Sequence, residues 1–145
     1  MIDISGKKEI GREAISSGFI HLSEESLKAI AEGKVKKGDV LATAKVSGVM
    51  AAKRTPDIIP FCHPIPLQKV DVSFAIHKDG IEAKCSVKAS YRTGVEMETL
   101  ACVSSALLTI WDMTKYIEKD ETGNYPDTRI TDIHVIRKVK DATLS

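Results

Sequence analysis

The stretch from Lys69 to Tyr91 constrains the fold of this chain more than any other part of its sequence. Apolar side chains alternate with polar ones on both sides of Asp79-Gly80, a dipeptide favoured in tight hairpin turns. Side chains at alternate positions of a strand point to the same face of a sheet. The pattern therefore predicts an antiparallel hairpin with one apolar face, carried by Val70, Val72, Phe74 and Ile76 and then by Ile81, Ala83, Cys85, Val87, Ala89 and Tyr91.

An earlier strand and a short helix are also indicated. Residues 12–23 alternate in the same way and predict a strand with one inward side, formed by Ala14, Ser16, Gly18, Ile20 and Leu22. A helix is expected to follow, because Ser23 is a suitable N-cap, Glu24 and Glu25 suit a first turn, and Gly33 suits the end.

Two longer helices are predicted from apolar residues spaced by three and four. The first begins after Asp39, a suitable N-cap, and is expected to end at Pro56 and the loop that follows. The second is expected over about 95–116, where Thr93 and Glu96 have the spacing of a capping box. Its inward side would be formed by Leu100, Val103, Leu107, Ile110 and Met113.

The order of these elements predicts the fold class. Residues 129–139 alternate once more, so the chain reads β-α-α-β-β-α-β without repeats or a linker. We therefore expect one α+β domain over residues 1–145, with helices on a mainly antiparallel sheet. Ferredoxin-like, split βαβ packing is the expected arrangement.

Composition argues against several classes of protein. A formal net charge of +1 is unsuited to wrapping nucleic acid. No apolar run approaches the roughly 18 residues of a membrane span, and residues 1–11 lack the apolar region of a signal peptide. The three cysteines are widely spaced without a C-x-x-C pair, which matches neither a disulfide framework nor a zinc knuckle. We expect a cytoplasmic protein that binds neither nucleic acid nor membrane, with Cys85 as a small apolar core residue.

The segment IIPFCHPIP, residues 58–66, displays Cys62 and His63 among three prolines. Proline lacks an amide hydrogen, so this segment can neither continue a helix nor donate to a central strand. The pair could be a nucleophile with its base, two metal ligands, or part of a loop that only packs. Neighbouring side chains of an extended segment point to opposite sides, which disfavours the first two. The loop either presents one polar side chain to a pocket or holds a structural histidine.

Two pairs of charged residues on the long helix invite a functional interpretation. Glu96 is explained by the capping box, whereas Glu98 is free to bind a donor-rich base in a cleft. Asp112 and Lys115 lie three residues apart on one helical face. They form either an ordinary surface ion pair or a carboxylate and ammonium placed to move protons and hold a phosphate.

The spacing of Glu98 and Asp112 predicts a site shared between two chains. Fourteen residues of helix correspond to about 21 Å along its axis at 1.5 Å per residue. One compact pocket could hardly use both side chains from the same copy. If both serve one substrate, a symmetric dimer supplies them, because such a contact pairs residue i with j and j with i.

Two long blocks of the sequence closely resemble the cyclic pyranopterin monophosphate synthase family, the second-step enzymes of molybdenum cofactor biosynthesis. These blocks are KKGDVLATAKVSGVMAAKRTPDIIPFCHPIPLQKVDV and RTGVEMETLACVSSALLTIWDMTK, and the resemblance extends from MIDIS and GREA to the last strand. It implies a lyase that converts (8S)-3',8-cyclo-7,8-dihydroguanosine 5'-triphosphate to cyclic pyranopterin monophosphate and releases diphosphate. It also implies that no metal or organic cofactor is needed, a ferredoxin-like fold, and a homohexamer built as a trimer of dimers with sites at the dimer contact.

The resemblance implies roles for individual residues as well. The residues matching the family's catalytic set are Asp112, Lys115 and Lys37. Those matching its substrate pocket are Phe61, Cys62, His63, Met97, Glu98, Glu96, Lys53, Arg12 and Lys138.

One segment departs from the family's pattern. Similar proteins usually end the last strand with a glycine-containing loop of the type K-x-G-G-K-S-G, whereas residues 138–143 read KVKDAT. Lys138 matches the first lysine of that loop, and Lys140 could serve as the second from a shifted place. The resemblance therefore does not extend to a flexible lid over the phosphates.

A non-catalytic ferredoxin-like module that binds a nucleotide or RNA is the alternative from another class. Its lysine clusters would suit phosphates. The hairpin contributes only Phe74 and Tyr91 as aromatic residues, fewer than a sheet that stacks RNA bases would present.

Overall fold

The structure, a computed structural model, describes residues 1–141. Ala142 and Thr143, which belong to the departure noted above, lie outside the described residues. The elements are β1 (Ile10–His21), α1 (Glu24–Ala31), α2 (Val40–Lys53), α3 (Thr55–Ile58), β2 (Lys69–His77), β3 (Gly80–Tyr91), α4 (Glu96–Glu118) and β4 (Arg129–Asp141).

The four strands form one antiparallel sheet in the order β2-β3-β1-β4. Helix α4 packs on β1, β3 and β4, and α2 packs on α4 and on the edge strand β2. This order and the helices packed on the sheet confirm the expected α+β, ferredoxin-like fold. The hairpin joins β2 to β3, as its alternation predicted.

The core lies between the sheet and α4. Its side chains are those that the alternation on the strands and the spacing of three and four on α4 predicted to face inward. On β3, the inward positions Ile81, Ala83, Cys85, Val87 and Ala89 are all buried. On α4, the buried apolar residues include the predicted positions Val103, Leu107, Ile110 and Met113. Burial fades along the edge strand β2, where Val72 is buried and Ile76 is exposed. The predicted faces are therefore confirmed in the centre of the sheet and weaken at its edge.

The glycine of the hairpin turn is required by a close approach of two strands. A Cβ atom at Gly80 would lie 2.1 Å from the carbonyl oxygen of Ile20 and 2.5 Å from the ring of Phe19. Gly80 is paired with His21 at the end of the β1–β3 ladder. The backbone contact leaves no room for any larger residue at this position.

The cysteine spacing, which matches no disulfide framework, did not reveal a disulfide that the structure contains. Cys85 of β3 and Cys102 of α4 form a disulfide with Cα atoms 6.2 Å apart, and both side chains are fully buried. Cys85 does face inward, as its position in the alternation required, but it is covalently joined to α4. An odd number of cysteines concealed the bond, because Cys62 remains as the free thiol.

Two predicted helix boundaries also differ from the structure. Asp39 caps α2 as expected, accepting a hydrogen bond from the amide of Ala42 at 3.0 Å. The helix ends at Lys53 rather than at Pro56, which instead lies in the first turn of the short helix α3. Proline is tolerated there because the amides of a first turn have no partner within the helix.

The capping box at the start of α4 is also wrong. The N-cap is Val95, and none of the described side chains caps this end of the helix. Thr93 lies two positions before this N-cap, so it cannot cap the helix, and Glu96 becomes the first helical residue and is free to make other contacts. By contrast, Ser23 caps α1 as predicted and accepts from the amide of Ser26 at 3.2 Å.

A buried carboxylate that the sequence did not reveal joins the last turn of α4 to the start of α1 and to the loop before β4. Glu118 accepts hydrogen bonds from the amide and hydroxyl of Ser23, from the hydroxyl of Ser26, and from the hydroxyl of Thr128 at 2.7 Å. Burial by itself would raise the pKa of Glu118, but these donors outweigh it and hold the pKa below its ordinary value. The last turn of α4 is thereby fastened to the cap of α1.

We expect Glu118→Gln to lower the free energy of unfolding at pH 7 by about 3 kcal/mol, or the melting temperature by about 10 °C. The amide would place a donor among groups that already donate. Because the pKa of Glu118 is lowered by folding, its contribution is fully present above the ordinary carboxyl pKa and is lost as the pH falls through the folded-state value. Thermal unfolding between pH 3 and pH 7 tests this, with the exposed Glu121→Gln as a control. Equal melting temperatures for the two variants would contradict the assignment.

Candidate active site

A cleft of about 390 Å³ opens where the proline-rich loop of residues 59–66 passes the start of α4. One wall is the loop after α3, a second is the first turn of α4 with the residues before it, and a third is the segment that precedes β1. The lining residues are Met1, Ile2, Ile4, Lys7, Phe61, Cys62, His63, Ile65, Thr93, Gly94, Glu96, Met97 and Glu98.

The cleft brings together six of the residues that the resemblance to the synthase family had placed in the substrate pocket. They come from two segments more than 30 residues apart in sequence, and they are Phe61, Cys62, His63, Glu96, Met97 and Glu98. The prolines of the loop prevent regular pairing, so its side chains stay at the surface beside the start of α4. Phe61 and Met97 are exposed apolar side chains at this opening, which suits the flat face of an aromatic ligand.

Glu98 is the most unusual group in the cleft. It is only 2% exposed, and within residues 1–141 no hydrogen-bond partner reaches its Oε2 atom. Burial raises the pKa of Glu98 above its ordinary value, and the neighbouring Glu96 carboxylate raises it further. A buried acceptor without a donor is costly. Glu98 is therefore suited to accept hydrogen bonds from the N–H groups of a bound ligand.

We expect Glu98→Gln to raise the free energy of unfolding at pH 7 by on the order of 1 kcal/mol, or the melting temperature by about 3 °C. Because folding raises the pKa of Glu98, the folded state binds more protons, and wild-type stability falls as the pH rises above the ordinary carboxyl pKa. The glutamine removes this loss, so the advantage of the variant should grow from pH 4 to pH 7. Glu25→Gln, in the exposed first turn of α1, provides the control. Destabilisation by Glu98→Gln at pH 7 would contradict the interpretation.

Cys62 and His63 both border the cleft but do not act on one another. The Nε2 atom of His63 lies 2.8 Å from the carbonyl oxygen of Ile2. A carbonyl can only accept, so Nε2 carries the proton and Nδ1 of the neutral ring is left as an acceptor. Burial raises the pKa of the Cys62 thiol, and the Glu98 carboxylate adds to the rise. These contacts support neither a reactive thiolate nor a Cys-His dyad.

Glu96 makes an ion pair at the rim of the cleft instead of capping its helix. Its Oε1 atom lies 2.8 Å from the ammonium of Lys138 on β4. Burial would raise the pKa of Glu96, but Lys138 and, more weakly, the guanidinium of Arg12 hold it below its ordinary value. Arg12 is itself buried on β1, where its Nε atom has no partner within the described residues. Arg12 and Lys138 thus add positive charge beside the carboxylates of the cleft.

A second charged group lies at the opposite end of α4. Asp112 accepts a hydrogen bond from Lys37 at 2.9 Å and is 3.1 Å from the ammonium of Lys115. Lys37 also donates to the backbone carbonyl of Asp112 at 3.2 Å. Hydrogen bonds from Lys37 and then Lys115 hold the pKa of Asp112 below its ordinary value. We call these three residues the lysine–aspartate cluster; it leaves a carboxylate between two ammonium groups at an exposed surface.

The cleft and the lysine–aspartate cluster are two separate places on one chain. Glu98 and Asp112 both belong to the continuous helix α4, so about 21 Å of helix separates them. Lys53 lies in neither place. It lines a neighbouring groove together with Gln68 and Lys69, and Ile65 lines both this groove and the cleft.

Sequence reasoning missed one wall of the cleft. Ile2, Ile4 and Lys7 line it, and the hydrogen bond from His63 to Ile2 uses a backbone oxygen. Asp3 shapes this segment, because its Oδ1 atom accepts from the amide of Ser5 at 2.9 Å. An Asp followed two residues later by Ser is compatible with such a turn, but nothing in the pattern indicates where the turn docks.

Residues 1–141 contain neither a clustered set of metal ligands nor a membrane-spanning helix. In this range no three or more His, Cys, Asp and Glu side chains are grouped so that they could hold a metal ion. None of the helices described is long and apolar enough to cross a membrane.

Comparison with known proteins gives a consistent result. The model of the MoaC family matches residues 1–141. A protein of Thermococcus onnurineus named "Probable cyclic pyranopterin monophosphate synthase" is 55% identical over 141 residues, covering 97% of this chain and 90% of that protein. Proteins with the same name from Pyrococcus abyssi and Methanococcoides burtonii are 55% and 57% identical, again over 97% of this chain and over 88% and 89% of theirs.

Proposed function

The chain belongs to the MoaC family, and on that premise we propose that it is a cyclic pyranopterin monophosphate synthase. The reaction converts the 3',8-cyclo-dihydro form of GTP to cyclic pyranopterin monophosphate with release of diphosphate, as a step of molybdenum cofactor biosynthesis. The observation that carries the proposal is chemical. The chain has a cleft with a buried carboxylate whose Oε2 atom finds no donor among residues 1–141 and, separately, a carboxylate between two ammonium groups.

The cleft suits the purine-derived part of the substrate. The ring of such a molecule carries N–H donors, and the Oε2 atom of Glu98 is an acceptor without a partner among the described residues. Phe61 and Met97 offer apolar contact to the ring faces. His63 can accept at Nδ1, because Ile2 fixes the proton on Nε2. This set of contacts would orient the ring without taking part in bond making.

The lysine–aspartate cluster suits the reacting end. Opening and rebuilding the ring requires proton transfers, which we assign to Asp112 together with its two lysine partners. Departing diphosphate develops negative charge, which Lys37 and Lys115 are placed to stabilise. Lys53, Arg12 and Lys138 supply further positive charge for the triphosphate.

One substrate can use both places only if they come from two chains. About 21 Å of α4 separates Glu98 from Asp112, which exceeds the reach of a single compact pocket. A two-fold symmetric pair would bring the cleft of one copy to the lysine–aspartate cluster of the other, and each pair would hold two such sites. We therefore propose a dimer as the catalytic unit, within a homohexamer built as a trimer of dimers, in the cytoplasm.

Product formation by the purified protein tests the proposal. The cyclo-dihydro-GTP substrate is incubated with the enzyme, and the cyclic monophosphate and diphosphate are quantified. Equal amounts of the two products with repeated turnover are expected. Stoichiometric binding without turnover would instead favour the non-catalytic nucleotide-binding module.

A further inference from the structure

We propose that Tyr116 is a positioning residue, which holds the turn carrying Lys37 so that the ammonium of Lys37 meets Asp112. This inference rests on the proposed function for its catalytic consequence. Its structural part, that Tyr116 acts on Asp112 through Lys37, can be tested without substrate. The sequence alone did not identify Tyr116 as a candidate functional residue.

The contact is between a side chain of α4 and the backbone of a turn. The amide of Lys36 donates to the hydroxyl of Tyr116 at 2.9 Å. The ammonium of Lys36 also lies 5.1 Å from the centre of the Tyr116 ring, within the range of a cation–π contact. Tyr116 therefore holds the residue immediately before Lys37 in two ways.

The turn has few other restraints on its central residues. Lys36 and Lys37 are its two middle positions, closed by a hydrogen bond from the amide of Gly38 to the carbonyl of Val35 at 3.1 Å. Val35 is buried, and Asp39 caps α2, so both ends of the turn are fixed. The middle is exposed, and its backbone is attached to α4 by the hydrogen bond from the Lys36 amide to Tyr116, whereas Lys37 reaches Asp112 only through its flexible side chain.

Helix geometry explains why this contact reaches the lysine–aspartate cluster. Asp112 and Tyr116 are four residues apart on α4, so their side chains are neighbours on one helical face. Lys36 and Lys37 are consecutive on the turn, and each contacts one of these two neighbours. A flexible lysine side chain loses considerable rotamer freedom when it is held in one geometry. Fixing its backbone beforehand reduces the range of positions that its ammonium can explore.

The first test compares Tyr116→Phe with the wild type. The variant keeps the ring and removes the hydroxyl that accepts from Lys36. We expect kcat to fall about tenfold, the effect of one lost hydrogen bond in the reacting arrangement. Lys36→Ala keeps the backbone amide and is expected to change kcat by less than about twofold. Tyr125→Phe, which removes a hydroxyl from a ring packed on Trp111, is the matched control.

The second test asks whether the effect passes through Lys37. Carbon NMR of the Asp112 carboxyl, without substrate, should show its pKa rising toward the ordinary value in Tyr116→Phe. In a Lys37→Ala background the additional Tyr116→Phe change should have no further effect on that pKa or on kcat.

Several results would overturn the inference. An unchanged Asp112 pKa in Tyr116→Phe would do so, even if the melting temperature fell. Equal effects of Tyr116→Phe with and without Lys37 would also do so. If the wild type does not turn over the cyclo-dihydro-GTP substrate, the proposed function fails, whereas the NMR comparison still decides the role of Tyr116.

Discussion

Asp112→Asn is expected to reduce kcat by about a thousandfold or more, with almost no change in stability. The asparagine keeps the shape of the side chain but can neither carry a proton as a carboxyl group nor hold two ammonium groups by charge. Asp112 is 56% exposed, so its replacement leaves the core untouched. Single-turnover formation of cyclic pyranopterin monophosphate measures the loss, and thermal unfolding measures stability.

Asp71→Asn is the matched control for this experiment. Asp71 pairs with Lys69 at 3.3 Å and is 62% exposed, so the exchange removes an ion pair of similar exposure on the edge strand. We expect near wild-type turnover for this control and a severe loss for Lys115→Ala. Near-normal product formation by Asp112→Asn would refute the catalytic assignment of that residue.

Mixing two inactive variants is expected to restore about one quarter of wild-type activity. Glu98→Ala removes a residue of the cleft, and Asp112→Ala removes one of the lysine–aspartate cluster. After random exchange of subunits about half of the pairs contain one of each, and one of their two sites combines the intact cleft with the intact cluster. Activity is measured after mixing, with exchange confirmed by mass spectrometry of differently labelled chains.

A second mixture shows whether the recovery depends on the shared site. His63→Ala and Glu98→Ala both alter the cleft, so every cleft in a mixed pair lacks one of the two side chains. This mixture should stay inactive. Absence of recovery in the first mixture under confirmed exchange, or full activity of an isolated monomer, would contradict the two-chain site.

Much of the fold could be predicted because its signals are local. The alternation over residues 69–91 and the spacing of apolar residues on α4 predicted a hairpin and a long helix, and both are present. The caps Ser23 and Asp39 were also identified correctly. The capping box failed because a motif of two residues does not determine where the chain first becomes helical. The helix boundary at Val95 displaced Thr93 from the capping position.

Part of the candidate cleft was expected from the sequence. The resemblance named nine substrate-pocket residues, and six of them line one cavity, while their roles stay predictions. The distance between Glu98 and Asp112 along the helix axis could be calculated from the sequence, since it depends only on the number of residues and the helical rise per residue. The wall formed by residues 1–7 and the contact of Tyr116 with Lys36 were not predicted, because each joins segments that the sequence keeps far apart.

The amino-acid sequence by itself determined which residues face inward, where the chain turns, and which side chains could carry the chemistry. These properties follow from periodicity and from the chemistry of single residues, and so depend on near neighbours alone. Only the tertiary structure decided the strand order, the bond between Cys85 and Cys102, the burial of Glu98 and the pairing of Lys37 with Asp112. Each of these depends on how distant segments pack. Burial changes the free energy of a charged side chain, and the approach of two segments decides which side chains come into contact.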